Sequence, residues 1–154
     1  MFQLSKKADY GLLLLIELAQ HEGETISLKE FAKSRFMSFF FLQRVAYQLR
    51  KSQLIESSRG KTGGYFLSRN PKTISLKEIF ENLEGSVTIS HGLEAKEQLP
   101  CLNEKLFTAH HGLSLLNNDL KESLSRITLQ DFINKPSISS ITPLTAKRNV
   151  TARH

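Results

Sequence analysis

Residues 38–51 carry side chains of the types that proteins use to read DNA. Four apolar residues recur at helical spacing and predict the buried face of a helix that Ser38 can cap: Leu42, Val45, Ala46 and Leu49. The opposite face combines cations, aromatic rings and an amide, without a carboxylate: Phe40, Gln43, Arg44, Tyr47 and Lys51. A helix with such a face can enter the major groove of DNA. The alternative is an ordinary solvated helix surface.

A glycine-rich turn follows this helix and separates two short apolar runs. Residues 54–58 and 65–67 predict the strands of a hairpin, and Arg59 and Lys61 stand at its tip. The glycines at 63–64 allow a positive φ or a close backbone approach. The turn lacks the residue order of a nucleotide-binding phosphate loop, and a strand rather than a helix follows it. We therefore predict a wing that carries two cations to a phosphate backbone or a minor groove.

Two earlier helices must position the reading helix. Ser5 can cap a first helix that ends near residue 21, and Lys6 at its start can reach a phosphate. Its apolar residues predict a central core helix, and they include Tyr10, Leu13, Leu14 and Leu18. The capping box at Ser27–Glu30 opens a second helix, which the turn at 35–38 joins to the reading helix. The sequence thus predicts a helix-turn-helix followed by a wing.

The second half of the chain extends this small domain. A second capping box at Ser75–Glu78 opens a helix that runs to about Leu83 and that Gly85 ends. The predicted fold class is therefore mainly α with a small β-hairpin wing. The predicted divisions are a winged helix-turn-helix domain at 1–85, a loop at 86–98, a dimerisation helix with a short terminal helix at 99–134, and a disordered basic tail at 135–154.

The predicted long helix has a seam of leucines. They step mainly by four and three residues, and with Ala109 and Ile127 they form a heptad-like pattern: Leu102, Leu106, Leu113, Leu116 and Leu120. The length of the helix and the small size of the preceding domain favour pairing with the same helix of a second chain, as a homodimer. The alternative is a helix packed on its own domain.

Charge is distributed unevenly along the 154 residues, whose net charge is +6. Residues 1–74 contain 12 Lys and Arg against 6 Asp and Glu, whereas residues 75–135 contain 6 against 9. This asymmetry favours an anionic polymer as the partner of the first half. Cys101 is the one cysteine, so no intrachain disulfide can form. No run approaches the ~18 apolar residues of a membrane span, and we expect a cytoplasmic protein without a membrane partner.

Several motifs resemble the Rrf-two family of winged-helix transcription regulators. The most specific are Ser58-Arg59-Gly60 and the following Gly63-Gly64-Tyr65. The run Ser5–Tyr10 resembles the opening of the family. The similarity covers roughly residues 1–134 and continues through 74–79, 83–85, 101–102 and 126–129. The resemblance implies a DNA-binding homodimer.

The resemblance also implies that positions 40, 43 and 59 contact DNA. Relatives often carry a small polar residue at the first position and a glutamate at the second, whereas this chain has Phe40 and Gln43. Phe40 can contact a thymine methyl group, and Gln43 can pair with adenine, where a glutamate would accept from cytosine. Arg59 suits the narrow minor groove of A·T-rich DNA. We therefore expect the target sequence to differ from that of relatives with a glutamate.

Cluster-binding members of the family place three cysteines and a histidine before and within the long helix. This chain keeps Cys101, has Glu104 in place of the histidine, and has His91 but no cysteine in the preceding loop. Because the iron of such clusters prefers thiolates, we expect no iron–sulfur cluster and no other metal cofactor. The alternatives are a mixed site that combines Cys101 with Glu104, His91 or His110, and a thiol sensor at Cys101 alone.

The sequence as a whole predicts a transcription regulator. We expect a homodimeric repressor that binds a pseudo-palindromic operator in double-stranded DNA. It is not expected to be an enzyme, since no base–nucleophile pair, metal-ligand cluster or nucleotide loop is present. One alternative is a redox- or iron-sensing regulator that uses Cys101. Another is a winged-helix module that binds proteins instead of DNA, against which the cations at 44, 51, 59 and 61 argue.

Overall fold

The structure, a computed structural model, describes residues 4–60, 63–88 and 104–134, with backbone alone for 104–110. The described elements are α1 (Lys6–Gln20), α2 (Leu28–Ser34), α3 (Phe39–Lys51), β1 (Ile55–Ser58), β2 (Gly64–Leu67), a short 3-10 helix (Pro71–Thr73), α4 (Leu76–Glu84), α5 (Glu104–Arg126) and α6 (Leu129–Ile133). The prediction of a mainly helical chain with one small antiparallel hairpin is confirmed. The predicted tail at 135–154 and all but residues 86–88 of the predicted loop lie outside the described residues.

Helix α1 runs through the centre of the core. The Ser5 hydroxyl caps it by accepting from the backbone N–H of Ala8 at 3.2 Å. Leu14, Leu15 and Leu18 are buried, but Leu13 is 42% exposed. The expectation that Leu13 belongs to the core is therefore wrong, because a helix packed on one side leaves part of even a very apolar surface in solvent.

Helices α2 and α3 form the predicted helix-turn-helix. The Ser27 hydroxyl accepts from the Glu30 backbone N–H at 3.4 Å, which is one of the two bonds of the predicted capping box. Leu42, Val45, Ala46 and Leu49 are all buried, so the predicted inner face of α3 is confirmed. Ser38 occupies the N-cap position but makes no capping bond with its side chain. Its backbone N–H instead donates to the Tyr10 hydroxyl at 3.4 Å, which ties the start of α3 to α1.

The wing is an antiparallel hairpin in which Ile55 faces Leu67 and Ser58 faces Gly64. Its β2 strand also bridges to Ile26, a contact that the sequence did not predict. Among the described residues of the turn, Gly60 has a positive φ, of +124°. Gly63 and Gly64 permit a close backbone approach, which was the other role expected of these glycines. A Cβ at Gly63 would lie 2.6 Å from a backbone oxygen, and a Cβ at Gly64 would lie 2.7 Å from another.

The end of the long helix returns to the first domain. The Leu76 N–H donates to the Ile127 carbonyl at 2.9 Å, and the Leu129 N–H donates to the Ile74 carbonyl at 2.8 Å. Leu129 is fully buried in the same cluster as α1. The predicted division at residue 99 is therefore too simple, because α6 completes the core of the winged domain instead of belonging to a separate unit.

Candidate nucleic-acid interface

The outer face of α3, formed by Phe40, Gln43, Arg44, Tyr47 and Lys51, is exposed along its whole length. Phe40 is 78% exposed and Tyr47 is 64% exposed. No acidic residue occurs in α3. The helix therefore presents an uninterrupted cationic and aromatic surface, as its sequence predicted.

A groove runs along each side of this face. On the wing side, a groove of about 310 Å³ is lined by Lys29 of α2, Gln43 of α3 and the glycines at 63–64. On the other side, a larger groove of about 960 Å³ is lined by Lys7, Arg44, Tyr47, Lys51 and Asn82, and again by Gln43. Gln43 borders both grooves and so stands at the centre of the surface. Lys7 and Lys29 extend the positive charge beyond α3.

Hydrogen bonds to α4 fix the orientation of α3 on the domain. The Gln48 amide donates to the Leu83 carbonyl at 3.3 Å and makes a second, shorter bond to the Asn82 carbonyl. These carbonyls lie in the last turn of α4, where backbone oxygens lack helical partners. The two bonds give α3 a fixed orientation relative to the domain, which a base-reading helix needs.

Lys6 is held near the first turn of α3. Its ammonium lies 5.5 Å from the centroid of the Tyr10 ring and 5.7 Å from that of Phe41. The two rings meet edge to face with their centroids 5.1 Å apart. Cation–π contact with both rings orients the lysine without neutralising it. Lys6 therefore keeps its charge available to a phosphate beside the start of α3.

The described part of the wing carries one of its two predicted cations. Arg59 is exposed and directly follows β1. The Arg50 guanidinium donates to the Ser57 hydroxyl at 3.2 Å, which connects the end of α3 to the wing. Lys61 lies outside the described residues.

Helix α5 divides its apolar residues between two environments. Leu113 is 38% exposed and Leu116 is 54% exposed. Leu120 is half-buried, and Leu124 packs against the core. Leu124 lies outside the predicted seam, so its packing leaves the seam residues Leu113 and Leu116 open to a partner. Nothing is described of Leu102 or of the Leu106 side chain.

The metal ligands considered from the sequence have no described side chains: Cys101, Glu104, His91 and His110. Across the described residues, no group of three or more His, Cys, Asp or Glu is placed to hold a metal ion. Cys101 and His91 lie outside them, and Glu104 is described by its backbone alone. A cluster of the kind considered needs three thiolates from each chain. This chain has one cysteine, so its residues do not fit such a cluster. No described helix has the length and hydropathy of a membrane span.

Sequence reasoning missed two residues at this surface and one in the turn that precedes α3. Lys29 and Asn82 line the grooves from neighbouring elements, and no local pattern indicates that they face α3. Phe36, in the turn before α3, is 98% exposed. The sequence did contain a signal for Phe36. Helix-turn-helix turns often contain glycine, and this turn has none.

Comparison with known proteins places this geometry in a family. The model of the Rrf2 family, described as iron-dependent transcriptional regulators, matches residues 4–135. The HTH-type transcriptional regulator CymR of Bacillus subtilis is 34% identical over 130 residues, which cover 84% of this chain and 88% of CymR.

Solved structures agree with this assignment. The structure of CymR, the global cysteine regulator of B. subtilis, has a TM-score of 0.71 and 30% identity, and the match covers 86% of this chain and 97% of that one. The structure of T. potens IscR has a TM-score of 0.70 and 29% identity, with coverage of 91% and 92%. The relatives are regulators and not enzymes, which confirms the resemblance inferred from the motifs. This chain belongs to the Rrf2 (Rrf-two) family of DNA-binding transcription regulators.

Proposed function

We propose that this regulator is a homodimeric repressor that recognises a pseudo-palindromic operator and works without an iron–sulfur cluster. One observation carries the proposal: the outer face of α3 is exposed, free of acidic residues and flanked by grooves that Lys7 and Lys29 line. A surface of this kind suits the major groove with phosphates on both sides.

Base recognition is assigned to Phe40 and Gln43. Gln43 has the donor and acceptor pair that matches the major-groove edge of adenine. Phe40 offers no hydrogen bond, and its exposed ring suits the methyl group of thymine. Arg59 on the wing adds attraction to a narrow minor groove. The operator is therefore expected to be rich in A·T pairs at the contacted positions.

Dimerisation is assigned to α5. Leu113 and Leu116 expose apolar area that a second copy would cover. Two α3 helices related by a twofold axis read inverted half-sites, whose centres lie one helical turn of DNA or a multiple of it apart. A dimer seated on such a site can block a promoter, which is the basis for proposing repression.

Independence from a cluster follows from the donor set. The chain supplies one thiolate, and Glu104 is a hard oxygen donor where cluster-binding relatives have a histidine. Thiolates rather than carboxylates hold the iron of such clusters. DNA binding is therefore assigned to the protein alone.

Selection of bound duplexes from a random pool with the metal-free full chain tests the proposal. We expect enrichment of an inverted repeat. Affinity for it should fall by ~10³-fold or more from 50 mM to 200 mM salt if about six phosphates are contacted. Specific operator binding would be refuted if no sequence is enriched, or if the affinity does not change with salt concentration.

A further inference from the structure

Phe36 has an unusual conformation in the turn between α2 and α3. Its φ is +53°, in the left-handed region. Its side chain is 98% exposed. A bulky residue is strained in this region, and helix-turn-helix turns often place glycine in the turn. The backbone of Phe36 is therefore strained, and its side chain adds no buried area to the fold.

The turn requires the conformation but not the phenyl ring. The Phe36 N–H donates to the Lys33 carbonyl at 3.4 Å, and the Met37 N–H donates to the Ala32 carbonyl at 2.9 Å. These bonds reverse the chain and bring Met37 against the core. Glycine or asparagine enters the left-handed region more easily than phenylalanine. A bulky aromatic residue that strains the backbone without packing in the fold points to a function outside the fold.

The location of the turn indicates what the ring meets. In helix-turn-helix proteins the first helix crosses the DNA backbone, and the first residues of the second contact base edges. The turn that joins them therefore passes from backbone to bases. Phe36 lies two residues before the N-cap of α3, and the exposed Phe40 follows in the first turn of that helix. Exposed Lys33 places positive charge beside the turn, whereas the guanidinium of Arg35 is paired with the Glu17 carboxylate at 2.6 Å.

We propose that Phe36 is a specificity-determining DNA contact that recognises a thymine methyl group beside the position read by Phe40. The C5-methyl of thymine is the apolar group that bases present in the major groove. The left-handed φ of +53° sets the direction of the Cα–Cβ bond, so only the two χ angles of the ring become restricted on binding. This inference rests on the proposed function, since it requires α3 to read an operator.

The test replaces thymines by deoxyuridine, which lacks the methyl group and keeps the same pairing edge. Wild type, Phe36→Gly and Phe36→Asn are titrated against the selected operator and against copies with single thymines replaced. Gln53→Gly is the matched control, because Gln53 is also exposed and left-handed, with φ +59°, in the turn after α3.

At one thymine per half-site, removal of the methyl should weaken wild-type binding about fourfold, the value for one buried methyl-sized group. Both Phe36 variants should bind the thymine operator more weakly by a similar factor and should not respond to removal of that methyl. Gln53→Gly should respond as wild type does. The Tm of the Phe36 variants should not fall, because no packed side chain is lost.

Three outcomes would overturn the inference. If the Phe36 variants keep wild-type affinity, or if every thymine replacement affects them as it affects wild type, Phe36 reads no methyl group, although operator binding still stands. If wild type selects no operator, the proposed function fails, and this inference fails with it.

Discussion

The Cα of Gly64 lies so close to Ile26 that a Cβ at this position would stand 2.7 Å from the Ile26 carbonyl oxygen. Beside it, Tyr65 and Ile26 exchange two backbone hydrogen bonds, of 2.8 Å and 2.9 Å. The base of the wing is thus joined to the segment that leads into α2. The wing and the helix-turn-helix are therefore held as one unit, which keeps Arg59 at a fixed offset from α3.

Gly64→Ala should break this connection. The added methyl meets backbone atoms that cannot move aside independently, so we expect the free energy of unfolding to fall by about 1–3 kcal/mol. Operator affinity should fall as well, because the wing shifts. Gly112→Ala is the control, since a Cβ at that exposed position of α5 meets nothing within 4 Å. It should raise stability by about 0.5–1 kcal/mol in urea unfolding. If Gly64→Ala and Gly112→Ala changed the free energy of unfolding equally, the close approach of Gly64 to Ile26 would be contradicted.

Asp131 links the start of α6 to acid stability. The Thr128 backbone N–H donates to its carboxylate at 2.7 Å, and this bond, followed by one from the Thr128 hydroxyl, holds the pKa of Asp131 below its usual value. A lowered folded pKa contributes stability above the unfolded pKa of about 3.9, and that contribution is lost as the pH falls through the folded value. Asp131→Asn should therefore flatten this part of the stability profile between pH 5 and 2, measured by thermal unfolding. An unchanged profile would show that the carboxylate does not act on α6.

Charged substitutions on α5 should separate the protomers. Leu113→Glu and Leu116→Glu should give monomers at micromolar concentration in sedimentation experiments, because a carboxylate cannot be buried there without a partner. Leu115→Glu is the matched control, since Leu115 is as exposed as Leu116, at 54%, but lies about 200° around the helix from Leu113. A wild-type protein that sediments as a monomer would refute the homodimer.

Removal of metal should leave operator binding intact. After anaerobic reconstitution with iron and sulfide, the protein should hold no stoichiometric cluster, and chelation should leave its affinity unchanged. Cys101→Ala should bind DNA as wild type does. Stoichiometric iron and acid-labile sulfide that disappear in Cys101→Ala would instead show that one thiolate per chain suffices.

Local patterns predicted the elements of this fold but not the contacts between them. The two faces of α3 follow from the spacing of Leu42 and Leu49, because helical periodicity alone decides which side is buried. The bridge from Ile26 to Tyr65 involves single residues far apart in the chain, and one residue carries no periodicity. The pairing of Ser75 with Thr128 is missed for the same reason.

The candidate site was predictable to a similar extent. Exposed Phe40 and Gln43 follow from the amphipathic pattern of α3. The roles of Lys29 and Asn82 depend on how α2 and α4 pack beside that helix, which no local pattern records. The bond from the Ser38 N–H to the Tyr10 hydroxyl could not be foreseen either, because Tyr10 of α1 reaches this turn only in the folded domain.

Base readout by Gln43 is the central claim, and one measurement tests it directly. Operators that carry each possible base pair at each position are titrated with wild type, Gln43→Ala and the control Gln20→Ala, which alters an exposed amide at the far end of α1. Gln43→Ala should lose about 1–3 kcal/mol on the preferred operator and should lose base preference at one position per half-site, where wild type prefers A·T. Gln20→Ala should match wild type. A loss of affinity in Gln43→Ala that is equal for all sequences would contradict the claim that α3 reads bases through this residue.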